Sequence, residues 1–415
     1  MFKIYKYVLP NGLIIIFNKD KYLKNSAVFN ILYKVGSKDE NFNKTGIAHL
    51  FEHLMFCGSK NITDYDHIVS NIGGINNAFT SQDYTNYYIE LPNNKIETAF
   101  YTESDRMCNL NITKDKLDIQ KKVVIEEFKQ IYFDKPYGLS DSIILDMAYD
   151  KYQSYKWNVI GKNIDHIYSI SIFDIKEWYK KYYNPNNAII SIVGNYDIHY
   201  IYELSYKWFN KIENNFFSNK KVVKKNINKK LNVVKKQYSK IINNTVYKIW
   251  NIDERLSKNF YMMHLFAELL SGDKSSKLYQ SLVINKNMFL NIDAYIIESI
   301  DCGLFVIEGK IYNNIKLDHA NIVISNEIIN IIKNGFNNFE IKKVQNQTEL
   351  RILFNQMNII ERAFELSLFE MMGNYELYNK EIDNYNQITS ENICECAKKF
   401  IKDNNCSTLY YIKNE

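Results

Sequence analysis

Residues 13–17, Leu-Ile-Ile-Ile-Phe, and residues 27–33 form short apolar runs rich in β-branched and aromatic side chains. Such runs have the length and content of strands. Between Asn43 and Phe56 the apolar positions move to helical spacing. Leu50, Phe51 and Leu54 supply the packing face, Thr45 sits where an N-cap is wanted and Gly58 where a helix stops. A second helix is predicted from Thr63, with Asp66 three residues on, to the break at Gly73-Gly74. Residues 86–92 read as a strand, residues near 93–107 and 114–133 as helices, and residues 188–194 as a strand ending in a turn. Strands alternate with helices yet occur in hairpin-like pairs. The expected fold class is therefore α+β, two related α/β sandwich domains whose antiparallel-rich sheets are covered by helices.

The two-domain expectation comes from a repeat. Residues 400–411 follow the order of residues 183–190, with an aromatic residue, an Asn-Asn pair and a β-run after a helix. Residues 213–236 are dominated by Lys and Asn, with Phe216, Phe217 and a few valines as the apolar exceptions, and read as a solvated linker. The domains expected are 1–212 and 237–415. A chain of 415 residues is long enough to bury two cores.

Charge narrows the function classes. The formal net charge is +5 with both signs interspersed, so no basic stripe argues for nucleic acid. The abundance of Asn, Lys, Ile and Tyr follows base bias in the gene and does not mark a stacking surface. No secretory h-region and no membrane-spanning run is found, which places the expected location in the cytoplasm, or in the periplasm if a leader was removed. The six cysteines lie in no framework spacing and are expected as free thiols, with Cys57 a small buried apolar side chain.

Candidate chemistry is concentrated in His49-Leu50-Phe51-Glu52-His53 and in the later pair Glu126-Glu127. Histidines four apart on a helix project from one face, one turn above the other, and can grip one metal ion. Glu52 lies on nearly the same face, placed to hold a metal-bound water. Two imidazoles and a carboxylate suit a single zinc ion with a fourth position open to water, the constellation of a hydrolase. Adjacent residues on a helix point about 100° apart. Only one of Glu126 and Glu127 can therefore face the metal, and spacing alone does not choose.

Around these residues the chain resembles the pitrilysin/insulinase family of inverted-motif zinc peptidases (M16 type), most closely its short bacterial and mitochondrial-processing-peptidase-like branch. The resemblance is carried by residues 36–40 and 58–61, the string Gly73-Gly74-Ile75-Asn76-Asn77-Ala78-Phe79-Thr80, and residues 102–107 and 123–127. Residues 157–161 and 183–187 complete it, with a weaker match at 269–279. It implies half of a clam-shell chamber, with Glu127 as the third zinc ligand and Glu126 beside it. At Gln120, where many relatives carry a supporting glutamate, this chain has an amide, which orients a ligand without adding negative field. It further implies that Asn77, Ala78 and Phe79 form an exposed strand edge to which substrate peptides add. Glu52 would take a proton from the attacking water and pass it to the leaving amine. The expected activity is zinc-dependent endopeptidase cleavage of extended, unfolded peptides. The alternatives are a peptidase specific for precursor leaders, or a non-catalytic subunit of a larger complex.

One feature departs from the family. Single-chain relatives carry an arginine and a tyrosine six or seven residues apart after the segment matching residues 269–279. Alignment puts Ile284 and Leu290 in those places, and neither side chain donates a hydrogen bond; Lys286, the nearby cation, is out of register. The resemblance thus implies a dimer, with a homologous partner chain that lacks the zinc motif and supplies the missing pair.

Overall fold

The computed structural model describes residues 2–150, 154–214 and 233–414. They form two compact units. The first comprises Met1–Phe128, Trp157–Val222 and Leu353–Lys380, the second Lys129–Lys156, Val223–Ile352 and Glu381–Glu415.

The first unit is built on a six-stranded sheet of β1 (Lys3–Val8), β2 (Ile14–Lys19), β3 (Ser26–Tyr33), β4 (Ile75–Thr80), β5 (Thr85–Pro92) and β6 (Ala188–Gly194). Their spatial order is β1-β2-β6-β3-β5-β4. Only β2 and β6 run parallel; the other pairs are antiparallel. β6 is buried along its whole length, as its run of apolar residues broken only by Ser191 predicts. The helices are α1 (Ile47–Met55), α2 (Tyr65–Asn71), α3 (Ile96–Asn109), α4 (Lys114–Lys129), α6 (Ile164–Ser169), α7 (Ile172–Tyr182), α8 (Ile198–Phe209) and α12 (Ile359–Met371). Phe29 on β3 packs against Phe100 of α3 and Phe209 of α8. Its neighbour Asn30 necessarily faces the other side, where it hydrogen-bonds Asn86 at 2.9 Å and Ser367 of α12 at 3.2 Å. One face of the sheet is thus apolar and the other holds buried polar groups under α12. There Arg362 reaches Asp20 at 2.7 Å, Asn18 at 3.2 Å and the Gln356 carbonyl at 2.8 Å.

The second unit has a five-stranded sheet of β7 (Val234–Ser239), β8 (Thr245–Ile252), β9 (Phe289–Ile297), β10 (Gly303–Ile311) and β11 (Ser407–Lys413), ordered β7-β11-β8-β10-β9. Its helices are α5 (Ser140–Ala148), α9 (Lys258–Ser271), α10 (Leu317–Asn334), α13 (Glu381–Asn386) and α14 (Ser390–Phe400), while α11 (Asn338–Met357) precedes α12 in the chain. This sheet repeats β2-β6-β3-β5-β4 strand for strand. The one parallel pair, β7 with β11, corresponds to β2 with β6. The closing helices also correspond. α7 is capped by Ser171 in a box with Asp174, and α14 by Thr389 in a box with Asn392. The two mixed, helix-covered sheets are the two related α/β domains expected.

The compact units are not the contiguous halves 1–212 and 237–415. The segment containing α12 belongs to the first, and the segment containing α5 to the second. A sheet with two buried faces needs cover on both. Each unit takes one of its covers from the other half of the sequence, α5 packing on β8 and β11 as α12 packs on β3 and β6. Hydrophobic periodicity does not encode which sheet a helix will cover. Of the expected linker, residues 215–232 lie outside the described residues, and Val234 to Lys236 already belong to β7. The second helix also differs at its start. Its cap is Asp64, which accepts the His67 N–H at 2.9 Å, rather than Thr63.

Replacing Arg362 with alanine leaves Asp20 without its buried partner. It is expected to cost about 3 kcal/mol, read as a lower urea midpoint; an unchanged midpoint would contradict the role given to α12.

Candidate metal centre

The helix that carries both histidines is fixed at its N-terminus by a carboxylate. Glu40 accepts the Gly46 N–H at 3.0 Å and the Ala48 N–H at 2.9 Å. These belong to the first turn, whose donors have no partner within the helix; burial pushes the Glu40 carboxyl up to about 8, and these hydrogen bonds oppose that rise. The Trp157 indole donates at 2.8 Å to Glu40 Oε2, the oxygen that also accepts the Gly46 N–H, and to the Ser37 carbonyl at 3.1 Å. Thr45, the expected cap, does other work. Its hydroxyl accepts the Lys162 N–H at 2.8 Å and lies 3.0 Å from Nδ1 of His166. Gly46 has φ +93°, and a Cβ there would stand 3.0 Å from the Ile160 carbonyl, so this junction requires glycine. At the other end the helix closes at Phe56, and Gly58, at φ +89°, makes the stop. Beyond it Asp105 accepts from Ser59 and, at 2.6 Å, from Asn61. Beneath α1, Arg106 is paired with Glu103 through two contacts of 2.7 and 2.8 Å, its guanidinium over the rings of Tyr65 and Tyr87.

On this support the rings of His49 and His53 lie 4.8 Å apart. Glu127, on α4, places Oε2 at 3.7 Å from Nε2 of His49 and 3.6 Å from Nε2 of His53. One ligand atom from each of the three lies within 4.8 Å of the others, the one such cluster among the described residues. Zinc bonds of 2.0–2.2 Å in a tetrahedron set ligand atoms about 3.4 Å apart. The donor set therefore fits a zinc ion with little movement. Burial, reinforced by His53, pulls His49 down to about 4, so at neutral pH its imidazole is uncharged and keeps a lone pair for a metal. Glu126 is exposed, as the angular separation from Glu127 requires.

Glu52 accepts a hydrogen bond from the Thr80 hydroxyl at 2.5 Å. Burial pushes its carboxyl up to about 7; the Thr80 bond opposes this and the charge of Glu127 adds to it. Thr80 ends β4, an edge strand paired only with β5. Alternation along β4 puts Ala78 on the Thr80 face and Asn77 and Phe79 on the opposite one. Phe79 packs there on Phe364 with ring centroids 4.9 Å apart. The Ala78 N–H is held by Oδ1 of Asn77 at 2.8 Å. Gln120 makes its hydrogen bond to Sγ of Cys57, at 3.5 Å. In the second unit Ile284 and Leu290 are exposed, and Lys286 is paired with Glu327 at 2.6 Å. All six cysteines are free, and no described helix is long and apolar enough to cross a membrane.

Sequence reasoning gave no role to Glu40, Trp157 or Thr80. Each lies inside or beside a string that carried the family resemblance, which was the signal available.

Comparison with known proteins identifies the class to which this fold and cluster belong. The profile described as "Insulinase (Peptidase family M16)" matches residues 15–147, and "Peptidase M16 inactive domain" matches residues 169–348. The chain belongs to the insulinase (peptidase M16) family. It is 36% identical over 187 residues to the zinc protease PqqE of Helicobacter pylori, a match spanning 45% of this chain and 42% of that protein. It is 21% identical over 412 residues to the uncharacterized zinc protease YmxG of Bacillus subtilis, covering 96% of both. The crystal structure of a protease from Helicobacter pylori superimposes with a TM-score of 0.91 at 23% identity, over 99% of each chain.

Glu40→Ala removes the carboxylate from two helix N–H groups and the Trp157 indole. The expected loss is about 2 kcal/mol, measured by chemical denaturation, with a loss below about 0.5 kcal/mol contradicting the cap.

Proposed function

We propose that the chain is a zinc metalloendopeptidase acting on extended, unfolded peptides. His49, His53 and Glu127 would hold one zinc ion, and Glu52 would carry the proton. The single observation that supports this most is the convergence of His49, His53 and Glu127, with Glu52 on the same helix anchored by Thr80 at the end of an open sheet edge. When bound, zinc supplies an acidified water and polarises the carbonyl to be attacked.

The chain's own residues account for the remainder. The ionised Glu52 carboxylate accepts the proton of the attacking water, and the same carboxyl then protonates the leaving amine nitrogen. The Thr80 hydroxyl fixes the orientation of that carboxylate. A substrate added along β4 is bound through main-chain hydrogen bonds, which select an extended conformation rather than a sequence. Asn77 and Ala78 supply that edge, after the Ala78 N–H exchanges the Asn77 side chain for the peptide. Phe79, with Phe364 behind it, meets side chains on one side of the added strand. Gln120 acts at one remove, through Cys57. The apolar, exposed Ile284 and Leu290 support assembly with a second, homologous chain that lacks the zinc motif and brings the arginine and tyrosine missing here.

Glu52→Gln is expected to retain about one zinc per chain while peptide cleavage falls by about 10³-fold; an active variant would remove Glu52 from the chemistry. Glu127→Ala is expected to weaken zinc binding at least about 100-fold, a ligand being lost, whereas Glu126→Ala leaves it within a few-fold. Equal losses in a metal titration would contradict the assignment. Cleavage of a peptide library by the purified chain alone, at the same rate as with a candidate partner, would contradict the heterodimer.

A further inference from the structure

We propose that the second unit contains a binding site for a small carboxylate, built around Lys248. A cavity of about 470 Å³ lies between α10 and the strands β7, β8 and β11. Lys248 of β8 lines it and is only 3% exposed. Its ammonium donates to Oδ1 of Asn321 at 2.7 Å and also to the thiol of Cys406. The ammonium also stands 5.6 Å from the centroid of the Trp250 ring, which attracts its charge but brings no negative charge to neutralise it. Among the described residues no carboxylate pairs with it. A charge removed from water in this way is costly unless an opposite charge meets it.

The surrounding polar groups hold the lysine in place without neutralising it by contact. The Asn321 amide cannot turn, because its nitrogen donates to the Tyr410 hydroxyl at 3.2 Å while its oxygen is taken by Lys248. Tyr410 in turn hydrogen-bonds Asp318. That chain meets an acid only after two neutral side chains, and the ammonium itself lines the cavity wall. The rest of the lining defines the ligand. Ser325 and Thr408 offer hydroxyls, while Val234 and Ile322 are apolar. One cation, neutral donors and an aliphatic wall suit a monoanion with a short apolar tail. A doubly charged phosphate would be left with charge unmatched. A free amino acid carrying a blocked amine, or a short acylated peptide end, has this chemistry.

The site does not depend on the peptidase reading. Titration calorimetry on the full chain with N-acetylleucine tests it, with N-acetylleucinamide as the neutral isostere and inorganic phosphate as the competing anion. The expected result is saturable binding of the acid, at least tenfold weaker binding of the amide and of phosphate, and at least tenfold weakening by Lys248→Met. Ser325→Leu, which narrows the cavity and leaves the lysine, is expected to abolish binding and serves if Lys248→Met does not fold. The same affinity after treatment with a zinc chelator separates this site from carboxylate binding at the metal centre. No binding of the acid, equal binding of the amide, tighter binding of phosphate, or loss of binding on chelation would each overturn the proposal.

Discussion

The carboxylate of Glu40 at the start of α1 is the contact on which the candidate centre depends. Two imidazoles can converge on one point only if the helix turn between them is rigid, and a helix of nine residues has little propensity to spare for that. Glu40 satisfies two of its unpaired N–H groups; burial pushes its carboxyl up to about 8 while these hydrogen bonds pull the other way, so it is the hydrogen bonding that fixes the helix start. The Trp157 indole, bonded to the same carboxyl group, ties the cap to a segment more than a hundred residues away. The register of His49, Glu52 and His53 is thereby set from outside the motif.

The same logic explains why short strings scattered over the first half of the chain belong together. Gly46 and Gly161 pack so closely that neither tolerates a side chain. Asp105 binds the turn after α1 through Ser59 and Asn61, and Glu103 with Arg106 forms a buried, bidentate pair under it. Each string is thus part of one polar framework. The residues of the candidate centre are few, and most of the recognisable sequence serves to hold their helix.

Much of this was legible in advance. The four-residue spacing of His49 and His53 needs only helix geometry, and the exposure of Glu126 beside Glu127 follows from the same periodicity. The edge position of β4 was implied by family resemblance, and the repeat at residues 400–411 indicated the second sheet. What could not be read was tertiary. The Glu40 cap acts across a loop, so the local signal favoured Thr45, whose hydroxyl is drawn instead to Lys162 and His166. The exchange of α5 and α12 between units reflects which sheet face lacks cover, a fact absent from any window of sequence. The Gln120 bond to Cys57 likewise depends on how α4 docks beside the turn after α1.

Zinc-edge X-ray absorption on the purified chain, combined with metal analysis, tests the central claim most directly. The account predicts about one zinc per chain, bound by two imidazole nitrogens and otherwise oxygen, at about 2.0–2.1 Å. A shell containing sulfur, which Cys57 would supply, or a chain that takes up no stoichiometric zinc, would contradict it.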